Sequence, residues 1–194
     1  MVIGITGGIA SGKSSVSDYL IKKGYSVVDC DVLAHEAYLK DSKTYQEITK
    51  SFECLDDNGE IDRKKLGKIV FNDKEKKLEL ENNIHPYVFG RIEEEKKKAS
   101  SDLFFVVMPL LFEVGYEKNV DLVWCIYVSE TIQLMRLMGR DNIDINYAKL
   151  KIASQMPLSE KVKRSDYVID NSYSLNETYI TIDNLLKNIE KMEK

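Results

Sequence analysis

The chain has 194 residues, of which 43% are apolar and 31% are charged, and its formal net charge is −4. This length and balance suit one globular domain with a small insertion, and the acidic excess argues against a protein that binds nucleic acid by charge alone. The three widely spaced cysteines argue against a zinc site and favour a cytoplasmic location, and the longest apolar run, residues 103–112, is too short for the roughly 20 residues that cross a bilayer.

The first predicted strand, residues 2–6, leads directly into a glycine-rich segment at residues 7–14. This segment reads Gly-Gly-Ile-Ala-Ser-Gly-Lys-Ser, and a helical pattern follows it. A glycine, four residues and Gly-Lys-Ser between a strand and a helix form a P-loop, in which backbone N–H groups and the helix dipole bind a nucleoside triphosphate. A plain glycine-rich turn is the alternative, and the flanking strand and helix argue against it. We therefore predict an ATP site with Mg²⁺.

Each residue type in this loop has an expected task. Gly12 lies where a Cβ would obstruct the phosphate, Lys13 is expected to contact the β- and γ-phosphates as a catalytic charge, and the Ser14 hydroxyl can bind Mg²⁺. The residues of this segment that are predicted to bind ATP are Gly8, Ile9, Ala10, Ser11, Gly12, Lys13, Ser14 and Ser15.

The second predicted strand, residues 25–28, ends in Asp29-Cys30-Asp31. Ligands of parallel α/β sheets bind at the carboxyl ends of the strands, so we expect these carboxylates to face the γ-phosphate. A carboxylate there can orient an attacking hydroxyl and accept its proton. The alternative is an aspartate that caps a helix beginning near Val32. With a P-loop in the same chain, we expect either Asp29 or Asp31 to be catalytic.

Residues 32–100 have helical patterns and no convincing strand. They predict a helical insertion that binds the acceptor, carried by a nucleotide-binding core of residues 1–31 and 101–194. His85 precedes a proline in this insertion. A structural turn or a satisfied buried group is the commoner interpretation of such a histidine, and a contact with the acceptor is the alternative.

The third predicted strand, residues 103–108, ends in apolar residues where P-loop enzymes often carry an acid that orders the Mg²⁺ shell. Glu113 lies beyond the proline that follows this strand. The sequence therefore leaves open whether Glu113 or Asp29 assists the metal ion.

The fourth predicted strand, residues 122–128, precedes a helix on which Arg136 and Arg140 share one face. Arg140 comes at the end of this helix, before the polar helical segment 141–164, where kinases of this type carry a mobile lid. We therefore predict that Arg140 closes onto the phosphates as a catalytic arginine supplied in cis. Pairing with an acidic neighbour at the surface is the alternative for both arginines.

The fifth predicted strand, residues 167–169, is followed by Asn171, which we expect in a loop that contacts ATP beside the adenine base. All five strands are apolar at consecutive positions rather than at alternating ones, as strands covered by helices on both faces are. The predicted fold is therefore α/β, a doubly wound five-stranded parallel sheet with a helical insertion and a lid.

Taken together, these segments resemble the dephospho-CoA kinase family over nearly the whole chain. The motifs that carry the resemblance are Thr-Gly-Gly-Ile-Ala-Ser-Gly-Lys-Ser at residues 6–14, Asp-Cys-Asp at 29–31, His-Pro at 85–86, Pro-Leu-Leu-Phe-Glu at 109–113, Arg-x-x-x-Arg-Asp at 136–141, Gln-Met-Pro at 155–157 and Tyr-Val-Ile-Asp-Asn at 167–171. Many nucleotide kinases share the P-loop, whereas the combination with the other motifs is far more specific.

The resemblance implies a reaction in which ATP and dephospho-coenzyme A give ADP and coenzyme A, on a fold like that of nucleoside monophosphate kinases. It implies that Asp31 is the base that receives the proton of the ribose 3′-hydroxyl. It also implies that Arg140 acts at ATP and that His85 lies near the acceptor.

Two positions depart from the family pattern. Val107 stands where many members carry an acid, and Lys151 stands where many carry an arginine, so we predict no phosphate contact for Lys151.

A kinase for another small hydroxyl acceptor and a nucleotide-dependent switch protein are the alternative functions. We expect a monomer whose partner is a small molecule.

Overall fold

The computed structural model describes residues 1–71 and 73–192. The chain divides into two compact units, which we call the core unit, Met1–Val28 with Ala99–Lys194, and the helical unit, Asp29–Lys98. These bounds lie within a few residues of the predicted core and insertion. What each unit binds stays a prediction.

A five-stranded sheet forms the centre of the core unit. Its strands are β1 (Val2–Gly7), β2 (Ser26–Asp29), β3 (Phe104–Val107), β4 (Leu122–Tyr127) and β5 (Tyr167–Asp170), in the order β2-β3-β1-β4-β5. β1 pairs in parallel with β3 and with β4, and β4 pairs in parallel with β5. The predicted five-stranded parallel sheet is therefore confirmed, and the P-loop strand β1 lies at its centre.

Helices connect the strands and build the helical unit. Within the described residues they are α1 (Lys13–Lys22), α2 (Cys30–Glu36), α3 (Lys43–Ser51), α4 (Arg63–Phe71), α5 (Lys74–Lys98), α6 (Glu130–Asp141), α7 (Ile145–Ala153), α8 (Leu158–Arg164) and α9 (Leu175–Met192), with a short 3₁₀ helix at Tyr116–Asn119. None of the helices in this described part is long and apolar enough to cross a membrane.

Helices cover both faces of the sheet, which explains the continuous apolar runs of its strands. One face packs against α1 and α9 through a buried cluster of Ile3, Ile5, Val16, Leu20, Leu103, Phe105, Val107, Trp124, Ile126, Ile169, Ile182, Leu186 and Ile189. Because side chains alternate along a strand, Cys125 points to the other face, between Trp124 and Ile126 of β4. Ser165 and Lys161 lie near its thiol there, and α8 packs against β1 and β4.

The helical unit has an apolar core of its own, formed by Ile48, Phe52, Cys54, Leu66 and Leu80. Leu55 and Ile61 form an isolated antiparallel bridge around the turn at residues 57–59. The prediction of a structural turn at His85-Pro86 is wrong, because both residues lie inside α5. A proline removes one helical hydrogen bond, and the buried residues before and after it, Leu80 and Val88, keep the helix packed.

Candidate active site

The P-loop connects the end of β1 to the start of α1. Gly12, the residue before α1, has a φ of 93°, in the left-handed region that favours glycine. No described side chain caps this helix start, and the first N–H groups of any helix lack intrahelical partners, so this end of α1 suits an anion. The ammonium of Lys13 donates to the carbonyl oxygens of Gly7 at 3.1 Å and Gly8 at 2.9 Å. The lysine charge therefore lies against the loop itself.

Two glutamines hold the loop at Ile9, and we call this arrangement the glutamine bracket. Gln133 of α6 donates its Nε2 to the Ile9 carbonyl at 2.8 Å. The Ile9 N–H donates to Oε1 of Gln155, also at 2.8 Å, and Gln155 follows the end of α7. Both backbone groups of one loop residue are thus fixed by side chains from distant parts of the chain.

Asn171 holds the loop at a second point. Its Nδ2 donates to the Ser11 carbonyl at 2.8 Å, and its Oδ1 accepts from the Thr178 hydroxyl at 3.0 Å. The side chain is buried, and a Cβ on Gly12 would overlap its Nδ2. Only glycine leaves room for this contact, so Gly12 is required by its neighbour as well as by its backbone angle.

The two arginines of α6 differ in what they contact. Arg136 Nη1 lies 3.7 Å from the point where a Cβ on Gly12 would stand, which places it beside the P-loop. The guanidinium of Arg140 is half exposed and pairs with Asp141 at 2.8 Å. Arg140 and then Lys151 lower the pKa of the Asp141 carboxyl to about 2, so this carboxyl is ionised at neutral pH.

A buried ion pair lies behind the Pro-Leu-Leu-Phe-Glu segment. Lys161 of α8 is 0% exposed, and its ammonium donates to the Pro109 carbonyl and pairs with Glu113 at 2.9 Å. Glu113 also accepts from the Met156 N–H at 2.9 Å. A buried ammonium requires such partners, so this carboxylate is engaged in anchoring α8.

One of the two aspartates at the end of β2 caps the helix that follows. Asp29 is the N-cap of α2, and its carboxylate accepts from the Asp31 N–H at 2.9 Å. Asp31 lies in the first turn of this helix and is exposed. Burial, and then the two aspartates, raise the pKa of the intervening Cys30 thiol, which therefore stays neutral. The capping role belongs to Asp29.

The sequence model of the dephospho-CoA kinase family matches residues 1–177. The chain belongs to the dephospho-CoA kinase family. It is accordingly a kinase, and ATP is the phosphoryl donor that this family membership implies.

Relatives of known family and solved structures agree with this membership. A dephospho-CoA kinase of Staphylococcus aureus (strain bovine RF122 / ET3-1) is 45% identical over 197 residues, with 100% of this chain and 95% of the relative covered. A dephospho-CoA kinase structure from Campylobacter jejuni is 32% identical with a TM-score of 0.71, and covers 100% of this chain and 98% of its own. The protein TT1252 from Thermus thermophilus is also 32% identical, with a TM-score of 0.88 and 97% of both chains covered.

The fold itself extends beyond the dephospho-CoA kinase family. A shikimate kinase from Aquifex aeolicus has a TM-score of 0.56 at 13% identity, over 98% of both chains. At that identity the likeness concerns the fold alone, and it lends no weight to another acceptor.

Around the P-loop of this family member, the structure brings together Lys13, Arg136 and Asn171. Asn171 holds the loop through its buried amide. The contact with ATP that the sequence predicts for it stays a prediction. Arg140 is paired with Asp141, so its movement to the phosphates also stays a prediction. In the helical unit, the His85 ring is half-buried and stacks on Phe89 with 5.8 Å between ring centres.

Sequence reasoning missed three residues that build this site. Gln155 was part of the family resemblance, but nothing indicated that it holds Ile9. Gln133 and Lys161 carried no signal, because a polar residue in a helix is most simply interpreted as exposed. Their contacts depend on which helix packs beside which loop.

Proposed function

We propose that this kinase transfers the γ-phosphoryl group of ATP to the ribose 3′-hydroxyl of dephospho-coenzyme A, which produces coenzyme A and ADP. The observation that carries the proposal is the family match over residues 1–177, in a chain whose P-loop is fully formed. No observation favours another small hydroxyl acceptor.

The P-loop is the proposed site of the ATP phosphates, through Gly8, Ile9, Ala10, Ser11, Gly12, Lys13, Ser14 and Ser15. Lys13 lies at the loop and would move from the carbonyls of Gly7 and Gly8 to the β- and γ-phosphates. Ser14, exposed in the first turn of α1, fits a Mg²⁺ that keeps water and phosphate oxygens as its other ligands. When bound, Mg²⁺ neutralises charge on the phosphates.

Asp31 is the proposed base. Its carboxylate accepts the proton of the 3′-hydroxyl while the bond from that oxygen to the γ-phosphorus forms and the bond to the β,γ-bridging oxygen breaks, so that ADP leaves. The exposed position of Asp31, and the commitment of Asp29 to the helix cap, support this division.

Arg140 is proposed to contact the phosphates when the lid closes. Arg136 lies beside the P-loop already. In that movement the guanidinium of Arg140 would leave its ion pair with Asp141 and bind the triphosphate. Because Lys161 anchors α8, we restrict the proposed lid to the part of residues 141–164 that precedes Gln155. We retain His85 as an acceptor contact and Asn171 as a residue near ATP.

The remaining assignments follow the predicted organisation. We propose that the core unit binds ATP, that the helical unit binds dephospho-coenzyme A, and that the protein works as a monomer in the cytoplasm. The half-buried His85 ring and the exposed Asp31 support acceptor binding by the helical unit.

A coupled assay of ADP release tests the function. The purified protein should release ADP from ATP when dephospho-coenzyme A is added, and mass spectrometry should show the product heavier by one phosphoryl group. Coenzyme A, whose 3′-position is already phosphorylated, is the control acceptor and should give no turnover. A protein that releases no ADP with dephospho-coenzyme A, but does so with shikimate or a sugar acid, would contradict the proposal.

A further inference from the structure

The helical unit contains a small pocket beside α2. It has a volume of about 130 Å³ and lies between α2, the turn that follows it and the start of α4. Its polar lining consists of His35, Tyr38, Lys40, Glu60 and Arg63. Lys40 and Arg63 bring two basic side chains, and Glu60 is the only acid among the described residues of this lining. The pocket therefore favours an anion.

Within the described part of the chain, the two cations of this pocket form no ion pair. Among the described residues, no carboxylate lies within ion-pair distance of Lys40 or Arg63. The Lys40 ammonium donates to a neutral carbonyl, that of Asn58, at 2.6 Å. Arg63 presents a planar fork of donors, which suits two oxygens of a phosphate group.

The ammonium of Lys40 is held in place by an ordered turn. Oδ1 of Asp56 accepts from the N–H groups of Asn58 and Glu60, each at 2.9 Å. Gly59 has a φ of 70°, which glycine adopts without strain, and its carbonyl accepts from the Tyr45 hydroxyl. The turn that carries the Lys40 partner is thus formed before any ligand arrives, so little ordering remains for binding.

Tyr38 adds a neutral donor to the lining. Burial raises the pKa of its phenol, and the opposing effect of Arg63 is smaller, so the hydroxyl stays protonated at neutral pH. It can donate to a phosphate oxygen beside the two cations. The pocket therefore combines an ammonium, a guanidinium and a hydroxyl, which is a donor set for phosphate oxygens.

The pocket lies close to the proposed base along one helix. Asp31 and His35 are four residues apart on α2, so they share a face, with their Cβ atoms about 5–6 Å apart. In dephospho-coenzyme A a single ribose connects the 3′-hydroxyl to the 5′-pyrophosphate. An acceptor with its 3′-hydroxyl at Asp31 can therefore extend its pyrophosphate along α2 towards His35.

From this juxtaposition we infer that the pocket of His35, Tyr38, Lys40 and Arg63 binds the pyrophosphate of the acceptor. The inference rests on the proposed function for the role of Asp31 and for the identity of the acceptor. It gives the helical unit a task in acceptor specificity, because an acceptor without a pyrophosphate would leave the cations unpaired.

Steady-state kinetics of Arg63→Gln and Lys40→Gln test the inference. Each variant loses charge-assisted hydrogen bonds to the pyrophosphate, so the KM for dephospho-coenzyme A should rise at least about 10-fold while the KM for ATP stays unchanged. Lys68→Gln is the matched control, because Lys68 is an exposed lysine of α4 outside the pocket, and it should leave both KM values unchanged. Arg63→Lys should restore part of the affinity.

The outcomes separate the pocket from the proposed function. If the wild-type protein phosphorylates dephospho-coenzyme A, and Arg63→Gln and Lys40→Gln behave like Lys68→Gln, the pocket inference is wrong. If the wild-type protein does not phosphorylate this acceptor, the proposed function is wrong, and calorimetric titration with inorganic pyrophosphate decides the pocket. That titration uses Lys13→Ala to weaken the P-loop, and binding should disappear when Arg63→Gln is added. Circular dichroism melting verifies folding, and Lys40→Gln carries the test if Arg63→Gln is unfolded.

Discussion

At the scale of single residues, Asp29 and Asp31 occupy different positions at the start of α2. The Asp29 carboxylate accepts from the Asp31 N–H as the cap of α2, and Asp31 itself is an exposed residue of the first turn. A cap residue needs a short acceptor side chain, and asparagine serves there as well as aspartate. A base needs a carboxylate, because an amide cannot accept the proton. The two positions can therefore be told apart with the same substitution.

We expect Asp31→Asn to lower kcat by at least about 100-fold, because the 3′-hydroxyl loses its proposed proton acceptor. Asp29→Asn is the matched variant and should retain both kcat and the thermal midpoint of unfolding, because the cap is preserved. The coupled ADP assay and circular dichroism melting measure the two effects. Turnover close to wild type in Asp31→Asn would move the base to another group.

Gly12 and Gly24 both have φ near 90°, yet their surroundings differ. A Cβ on Gly12 would overlap Asn171, whereas a Cβ on Gly24 would meet nothing within 4 Å. Alanine at either position adopts the left-handed region at a cost of about 1–2 kcal/mol. The difference in the free energy of unfolding between the two alanine variants therefore measures the effect of the contact with Asn171.

We expect Gly24→Ala to lower the free energy of unfolding by about 1–2 kcal/mol and to leave the KM for ATP unchanged. Gly12→Ala should be less stable than Gly24→Ala and should also raise the KM for ATP, because Asn171 must move and the loop with it. Urea denaturation and ATP titrations measure these quantities. If the two variants were equally stable, the Asn171 side chain would be able to move away from the added Cβ without a loss in the free energy of unfolding.

At the scale of elements, the glutamine bracket ties α6 and the end of α7 to the P-loop. Gln133 and Gln155 hold the carbonyl and the N–H of the same residue, Ile9. Loops lose entropy when a ligand orders them, so a loop that is already fixed binds its ligand at a lower cost. The bracket thus preorganises the phosphate site, and through Gln155 it connects that site to the proposed lid segment.

Gln133→Ala and Gln155→Ala should each raise the KM for ATP by about 2- to 10-fold, as expected for one neutral hydrogen bond that orders the site. The KM for dephospho-coenzyme A should stay unchanged, because the bracket acts on the ATP loop. Gln46→Ala, which removes an exposed glutamine of α3, is the control. An equal rise in both KM values would indicate a general loss of structure rather than a positioning role.

At the scale of the whole molecule, the chain folds as a core unit with one sheet and a helical unit with its own apolar cluster. The strands were predictable because each is a short apolar run, and their bounds agree within about two residues, as element bounds usually do. The position of His85-Pro86 inside α5 was not predictable, since a proline more often ends a helix than continues within one.

The amino-acid sequence by itself determined the P-loop, the parallel sheet and the family. Contiguous residues form each of these features, because the P-loop is one short segment and a buried strand needs only a run of apolar side chains. Only the tertiary structure decided which side chains hold the P-loop and that the Lys161 ammonium is buried. Gln133 lies 124 residues from Ile9 in the chain, and Lys161 lies 52 residues from Pro109. Such hydrogen bonds exist only once distant elements pack together, so no local pattern can encode them.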